Sequence, residues 1–203
     1  MATIALDALD AIEYRDSVPL KVAETRLNLK RRLPSNERLE WARPINANRG
    51  NRRPADLPEV YAEQAVWLNE NQNAELLLQA IRIGDLAIAA IPNEVFGITG
   101  MKLKAQSPLQ PLINLELANG AEGYIPPPEQ HALGGYTTWP ARTAGLEVDA
   151  EPKIVAALLD LLEQLADGVP RRPSTTDFYN DQQRRAIDSA QKADNNREHR
   201  GMK

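Results

Sequence analysis

An α/β (or α+β) fold, with a central sheet flanked by helices, is what this 203-residue sequence predicts. Three observations carry that prediction. Two strand-like runs, 75–83 and 85–91, meet at Gly84-Asp85, a two-residue hairpin signal. The second run, Leu86-Ala87-Ile88-Ala89-Ala90-Ile91, is apolar on both faces, as a strand in the middle of a sheet would be. Residues 151–165 set Ile154, Leu158, Leu161, Leu162 and Leu165 on one helical stripe, with Pro152 in the first turn.

The remaining elements follow from local pattern. Ile4, Leu6, Leu9 and Ile12 have a spacing compatible with a short helix in an N-terminal segment, 1–17. Residues 18–22 alternate apolar and polar, and 25–29 alternate again in the opposite phase, which predicts one strand with a slip in register. Pro34 breaks it, and Ser35 is placed to cap a short helix through Trp41. Pro44, Pro54 and Pro58 predict a loop over 44–58 with a mobile centre at Arg49–Arg53. A helix is expected over 59–72.

After the hairpin, Pro92 ends the strand and Asn93 is expected in a left-handed turn conformation. A helix over 94–105 would then begin at Glu94, whose charge suits a helix N-terminus. Leu112–Leu117 reads as a strand running into Asn119-Gly120, 129–133 as one helical turn, and 134–146 as a loop holding Tyr136, Trp139 and Pro140. The domain is thus expected to span 18–167. A polar, flexible tail over 168–203 follows, with a polar helix at 179–193.

Composition narrows the chemistry. The chain has no cysteine, which excludes disulfides and thiolate metal sites. No run of 18 apolar residues predicts a membrane span, and Met1–Asp16 lacks the basic start of a signal peptide. A cytoplasmic location is the default expectation. The net charge of −4 is segregated: 24–53 carries nine Lys/Arg against three Asp/Glu, and 168–203 eight against five. Such segments meet phosphates or simply face solvent. The arginines lack interleaved aromatics, so nucleic acid is not the expected partner.

The ordered set Ile83-Gly84-Asp85-Leu86-Ala87-Ile88, Pro92-Asn93-Glu94, Ala118-Asn119-Gly120 and Gly123-Tyr124-Ile125 resembles the neutral/alkaline non-lysosomal ceramidase family. Gly134-Gly135-Tyr136 and Trp139-Pro140 resemble its bacterial, ceramidase-like branch. The likeness runs over roughly 18–166 and corresponds to the C-terminal part of the family's catalytic domain. It implies a zinc-dependent hydrolase acting on the linear amide bond of N-acylsphingosines. It implies Glu94 and Tyr124 as zinc ligands and Asn119 as a substrate-binding residue. The family's Pro-Gly-Glu stands here as Pro92-Asn93-Glu94.

The family's two zinc histidines and its nucleophilic serine belong to an N-terminal region without a counterpart in this sequence, so no catalytic residue is assigned. The resemblance therefore implies a truncated domain completed by a partner, an N-terminal half or neighbouring subunit that supplies histidines, and a lipid amide substrate. The chain's own histidines are His131 and His199.

The same residues have plainer readings. A Glu at a helix start serves the dipole or a capping box. A Tyr in a Gly/Pro-rich loop packs its ring and bonds its hydroxyl to backbone. Asn119 before Gly120 is equally a turn residue. The alternative to an enzyme segment is a non-catalytic interaction protein that binds a partner or an anionic surface through its basic segments.

Overall fold

The structure, a computed structural model, describes residues 2–168. The α/β expectation holds. A four-stranded mixed sheet has the order β1-β2-β3-β5, formed by Leu20–Lys30, Asn73–Ile83, Leu86–Ala90 and Leu112–Leu115. β1, β2 and β3 are antiparallel in sequence; β3 and β5 run parallel. Gly84 makes the β2–β3 turn with φ of 61°, a value that suits a residue without a Cβ. β3 is paired on both sides, as its two apolar faces required.

The helix α6, Ala150–Leu165, covers one face of this sheet. Its Ile154, Leu158, Leu161 and Leu162 meet Leu29, Leu76, Leu78, Ala87 and Ala89, all buried in one core. Each such leucine or isoleucine contributes about 1.5–3 kcal/mol by leaving water. Among the described residues no helix packs on the opposite face. There Val22, Ile81, Ile88 and Ile113 stand in cross-strand register as one apolar row, with Val22 58% and Ile113 44% exposed.

That open face explains a corrected expectation. β1 runs without a slip from Leu20↔Ile83 to Lys30↔Asn73. Its apolar residues change phase because Leu20 and Val22 point to the open face, whereas Leu27 and Leu29 point towards α6. A switch of faces and a bulge leave the same mark in sequence.

The expected loop over 44–58 is mostly helix. α2 spans Asn36–Arg49 and contains Pro44; α3 spans Leu57–Glu70. Pro44 removes one helical donor. Ser35 Oγ caps the start by accepting from the Arg38 amide at 3.1 Å. Fully buried Ala42 packs against Ala62 and Ala65 of α3, and Asn46 Nδ2 donates to the Ala62 carbonyl at 3.2 Å. Close packing between small residues outweighs one missing bond. The true connection is 50–56, ending at Asp56, whose carboxylate accepts from the Glu59 amide at 2.9 Å.

The helix expected from Glu94 also starts later. Glu94–Val95 form a short strand, β4, and α4 spans Gly97–Gln106. β4 pairs in parallel with β6, Tyr124–Ile125, to make a second, two-stranded sheet. Glu94 is therefore not a helix-dipole residue. The short helix α5 covers Pro128–Leu133, and two 3-10 turns interrupt the expected 134–146 loop, at Tyr136–Thr138 and Arg142–Ala144. The N-terminal helix α1 is Ala2–Asp10. No helix among the described residues is long and apolar enough to cross a membrane. The tail beyond Gly168, with its expected helix and His199, lies outside the described residues.

Candidate functional site

The β3 strand empties into Ile91, Pro92 and Asn93, all buried. Asn93 is fully buried but not left-handed; the positive φ values fall at Leu117 (52°) and Asn119 (69°) instead. Its role is a bond. Asn93 Nδ2 donates to the Gly123 carbonyl at 3.2 Å, and the Glu94 amide donates to the same oxygen at 3.0 Å. The Glu122 amide returns to the Pro92 carbonyl at 2.7 Å. Two chain segments thirty residues apart are thus laced together at Pro92-Asn93-Glu94 and Glu122-Gly123.

Glycine is required at this crossing and where the same segment passes the turn at Thr143. Gly123 has φ of 75°, and a Cβ there would lie 2.7 Å from the Thr143 Cα and closer still to its carbonyl. A Cβ on Gly120 would stand 3.0 Å from the Pro92 Cβ. The Gly120 and Gly123 of the sequence pattern permit close approach of backbones that would otherwise be held apart.

The lacing sets Glu94 opposite Tyr124 as paired residues of β4 and β6. Both side chains are half-buried. Hydrogen bonding to the Glu94 carboxylate, then burial, raises the Tyr124 hydroxyl above the usual phenol range. At neutral pH the phenol therefore keeps its proton and donates it to Glu94. Behind it, the Tyr124 ring meets Tyr136 edge-on at 5.9 Å, Tyr136 meets Trp139 at 5.9 Å, and Trp139 meets Tyr61 of α3 at 6.1 Å. These T-shaped contacts brace Tyr124.

The two residues singled out as metal ligands thus come together, and the others do not join them. Asn119 sits exposed in the turn after β5, and its Nδ2 donates to Gln79 Oε1 of β2 at 2.9 Å. His131 lies on α5; burial and then the charge of Arg32 push its imidazole below the usual range. Catalytic zinc takes three protein ligands and keeps a further position for water. Among the described residues no group of three or more His, Cys, Asp or Glu is placed to hold a metal ion. Glu94 and Tyr124 offer two oxygens, and the described residues do not complete a zinc site.

Part of the basic segment is neutralised within the fold. Arg26 pairs with Glu75 at 2.6 Å, Arg31 with Glu122 at 3.1 Å, Arg49 with Glu63 at 3.1 Å and Arg52 with Glu59 at 2.5 Å.

Local sequence pattern does not mark a third cluster. Glu151, 1% exposed, accepts from Thr99 Oγ1 at 2.8 Å and from Lys102 Nζ at 3.2 Å, tying α6 to α4. Near a helix start it reads as a dipole residue, and only the tertiary packing shows otherwise. Tyr136, by contrast, stood in the quoted Gly134-Gly135-Tyr136.

No family model matches the sequence, and neither does any curated protein. Among solved structures, the fold is similar to a ceramidase complexed with C2, at 17% identity and a TM-score of 0.41, over 49% of this chain and 16% of that one. It is similar also to the neutral ceramidase of Pseudomonas aeruginosa, at 18% identity and a TM-score of 0.42, over 50% of this chain and 17% of that one. The chain thus matches about a sixth of the length of those enzymes.

Proposed function

We propose that this chain is a ceramidase-like hydrolase segment that contributes two oxygen donors, Glu94 and Tyr124, to an amide-hydrolysing zinc site whose histidines come from a partner. The observation that carries the reading is the direct pairing of Glu94 with Tyr124 across β4 and β6, with the phenol bonded to the carboxylate. The ordered sequence set that resembles the ceramidase family supports it. So does the sheet face of Val22, Ile81, Ile88 and Ile113, which leaves an apolar layer for another segment to cover.

Each residue of the site has a defined task in this reading. Asn93 and Gly123 fix the backbone crossing. Tyr136 holds the Tyr124 ring. Tyr124 keeps its phenolic proton, with Glu94 as acceptor, until a cation replaces it, since a ligand must be deprotonated to bind metal. An N-acylsphingosine-type amide is the proposed substrate class, with Asn119 at its margin.

The test is a zinc titration of the full chain at neutral pH, read by the near-ultraviolet band of tyrosinate. Imidazole in solution stands in for the absent histidines. Zinc with imidazole is expected to produce the tyrosinate band in the wild type and not in Glu94→Ala or Tyr124→Phe. No band in the wild type at saturating imidazole would remove the zinc reading and leave the non-catalytic interaction protein as the account of this fold.

A further inference from the structure

A second concavity lies away from Glu94, between the end of β1, the start of α2 and the body of α3. It has a volume of about 300 Å³, and Leu33, Tyr61, Leu68 and Pro140 are among the residues that line it. Arg32 and Arg38 line it too. Their electrostatic situation differs from that of the paired arginines around them.

Arg32 is half-buried, and burial pushes its guanidinium below the usual range. Its bonds go to carbonyls: Nε to Leu146 at 3.2 Å, and Nη2 to Thr138 at 2.9 Å and to Ala144 at 2.5 Å. No carboxylate among the described residues forms an ion pair with it, whereas Arg31 next to it holds Glu122. Arg38 is exposed and lies 3.7 Å over the Trp41 ring, again without a carboxylate partner among the described residues. The amide end of α2, capped by Ser35, adds a positive partial charge at the same rim. A half-buried cation costs desolvation energy that carbonyl dipoles only partly recover. His131, whose imidazole is pushed below its usual range chiefly by burial, also feels the charge of Arg32.

We propose that this pocket binds a small organic acid, one carboxylate on a compact apolar or aromatic body. The carboxylate would take the planar fork of the Arg38 guanidinium and a single bond from Arg32 Nη1, the nitrogen of Arg32 that the carbonyls leave free. The body would sit against Leu33, Leu68, Pro140 and the Tyr61 ring. A volume of about 300 Å³ is at the small end of ligand cavities and suits an acid of that size. The proposal is independent of the zinc reading. It is linked to that site through Tyr61, the last ring in the row from Tyr124, and through the Arg32 bond to the Thr138 carbonyl.

Calorimetric titration of the full chain with phenylacetate tests it, with benzyl alcohol, acetate and inorganic phosphate as separate arms. Saturable one-to-one phenylacetate binding is expected, with benzyl alcohol and acetate each at least about tenfold weaker, which corresponds to about 1.4 kcal/mol. Arg38→Gln, on an exposed side chain, should weaken phenylacetate about tenfold. Arg32→Gln should weaken it further, provided its melting curve shows a folded chain; if it does not fold, Arg38→Gln decides. Absent phenylacetate binding, equal binding of benzyl alcohol, or unchanged affinity in Arg38→Gln would overturn the proposal. Phosphate binding tighter than phenylacetate would also overturn it, by replacing the organic acid with an inorganic anion.

Discussion

Substituting Ala at Gly123 and at Gly134 separates conformational strain from close approach. The two glycines have nearly equal φ, 75° and 76°. Around Gly134 an added Cβ meets nothing within 4 Å, while at Gly123 it meets the Thr143 backbone. Gly134→Ala should therefore cost the strain of a positive-φ, extended-ψ backbone alone, about 1–3 kcal/mol. Gly123→Ala must add the displacement of its segment away from the Thr143 backbone. That displacement removes the Asn93 Nδ2 and Glu94 amide bonds to the Gly123 carbonyl, at about 1 kcal/mol each. The expected cost is roughly 3–5 kcal/mol, a large share of the stability of a domain this size. Urea unfolding read by tryptophan fluorescence measures both variants. Equal destabilisation of the two would refute the argument that Gly123 exists to let these backbones cross.

Other consequences follow from the same structure. Glu151→Ala should cost about 2–3 kcal/mol, because buried Thr99 and the Lys102 ammonium lose a charged acceptor. Glu151→Gln should cost less, and chemical denaturation distinguishes them. Val22→Thr keeps β-propensity on a face without a covering helix. Its effect should stay within about 0.5 kcal/mol, whereas a cost above about 1.5 kcal/mol would mean that face is covered. Tyr124 contributes a pH dependence. Its folded-state pKa is raised, so its contribution is fully present below about pH 10, the ordinary tyrosine value, and is lost as pH rises through the folded value. Denaturation of wild type and Tyr124→Phe across pH should show a constant stability difference below about pH 10 that shrinks as pH rises above it.

The parts of the fold set by periodicity were legible in the sequence. The α6 stripe, the Gly84 hairpin and the doubly apolar β3 each depend on neighbours a few residues away. What was not legible depended on distant partners. α2 persists through Pro44 because Ala42 meets Ala62 and Ala65 on another helix. β4 is two residues long and exists only because Gly123 lies beside it, so nothing local marks Glu94 as strand. The charge of 24–53 looked like a free basic surface because Glu75 and Glu122 lie far along the chain from Arg26 and Arg31. Of the site, the sequence singled out Glu94 and Tyr124 by resemblance. Asn93 looked like a turn residue, because a buried amide and a turn amide are the same letter.

The most direct measurement of the central claim is the ionisation of Tyr124 itself, followed by NMR in the wild type and in Glu94→Gln. The account predicts a phenol pKa above the ordinary value in the wild type, falling in Glu94→Gln as the anionic acceptor is removed. An identical pKa in the two proteins would mean that Glu94 and Tyr124 do not act as one donor pair, and the proposed contribution to a shared metal site would fall with it.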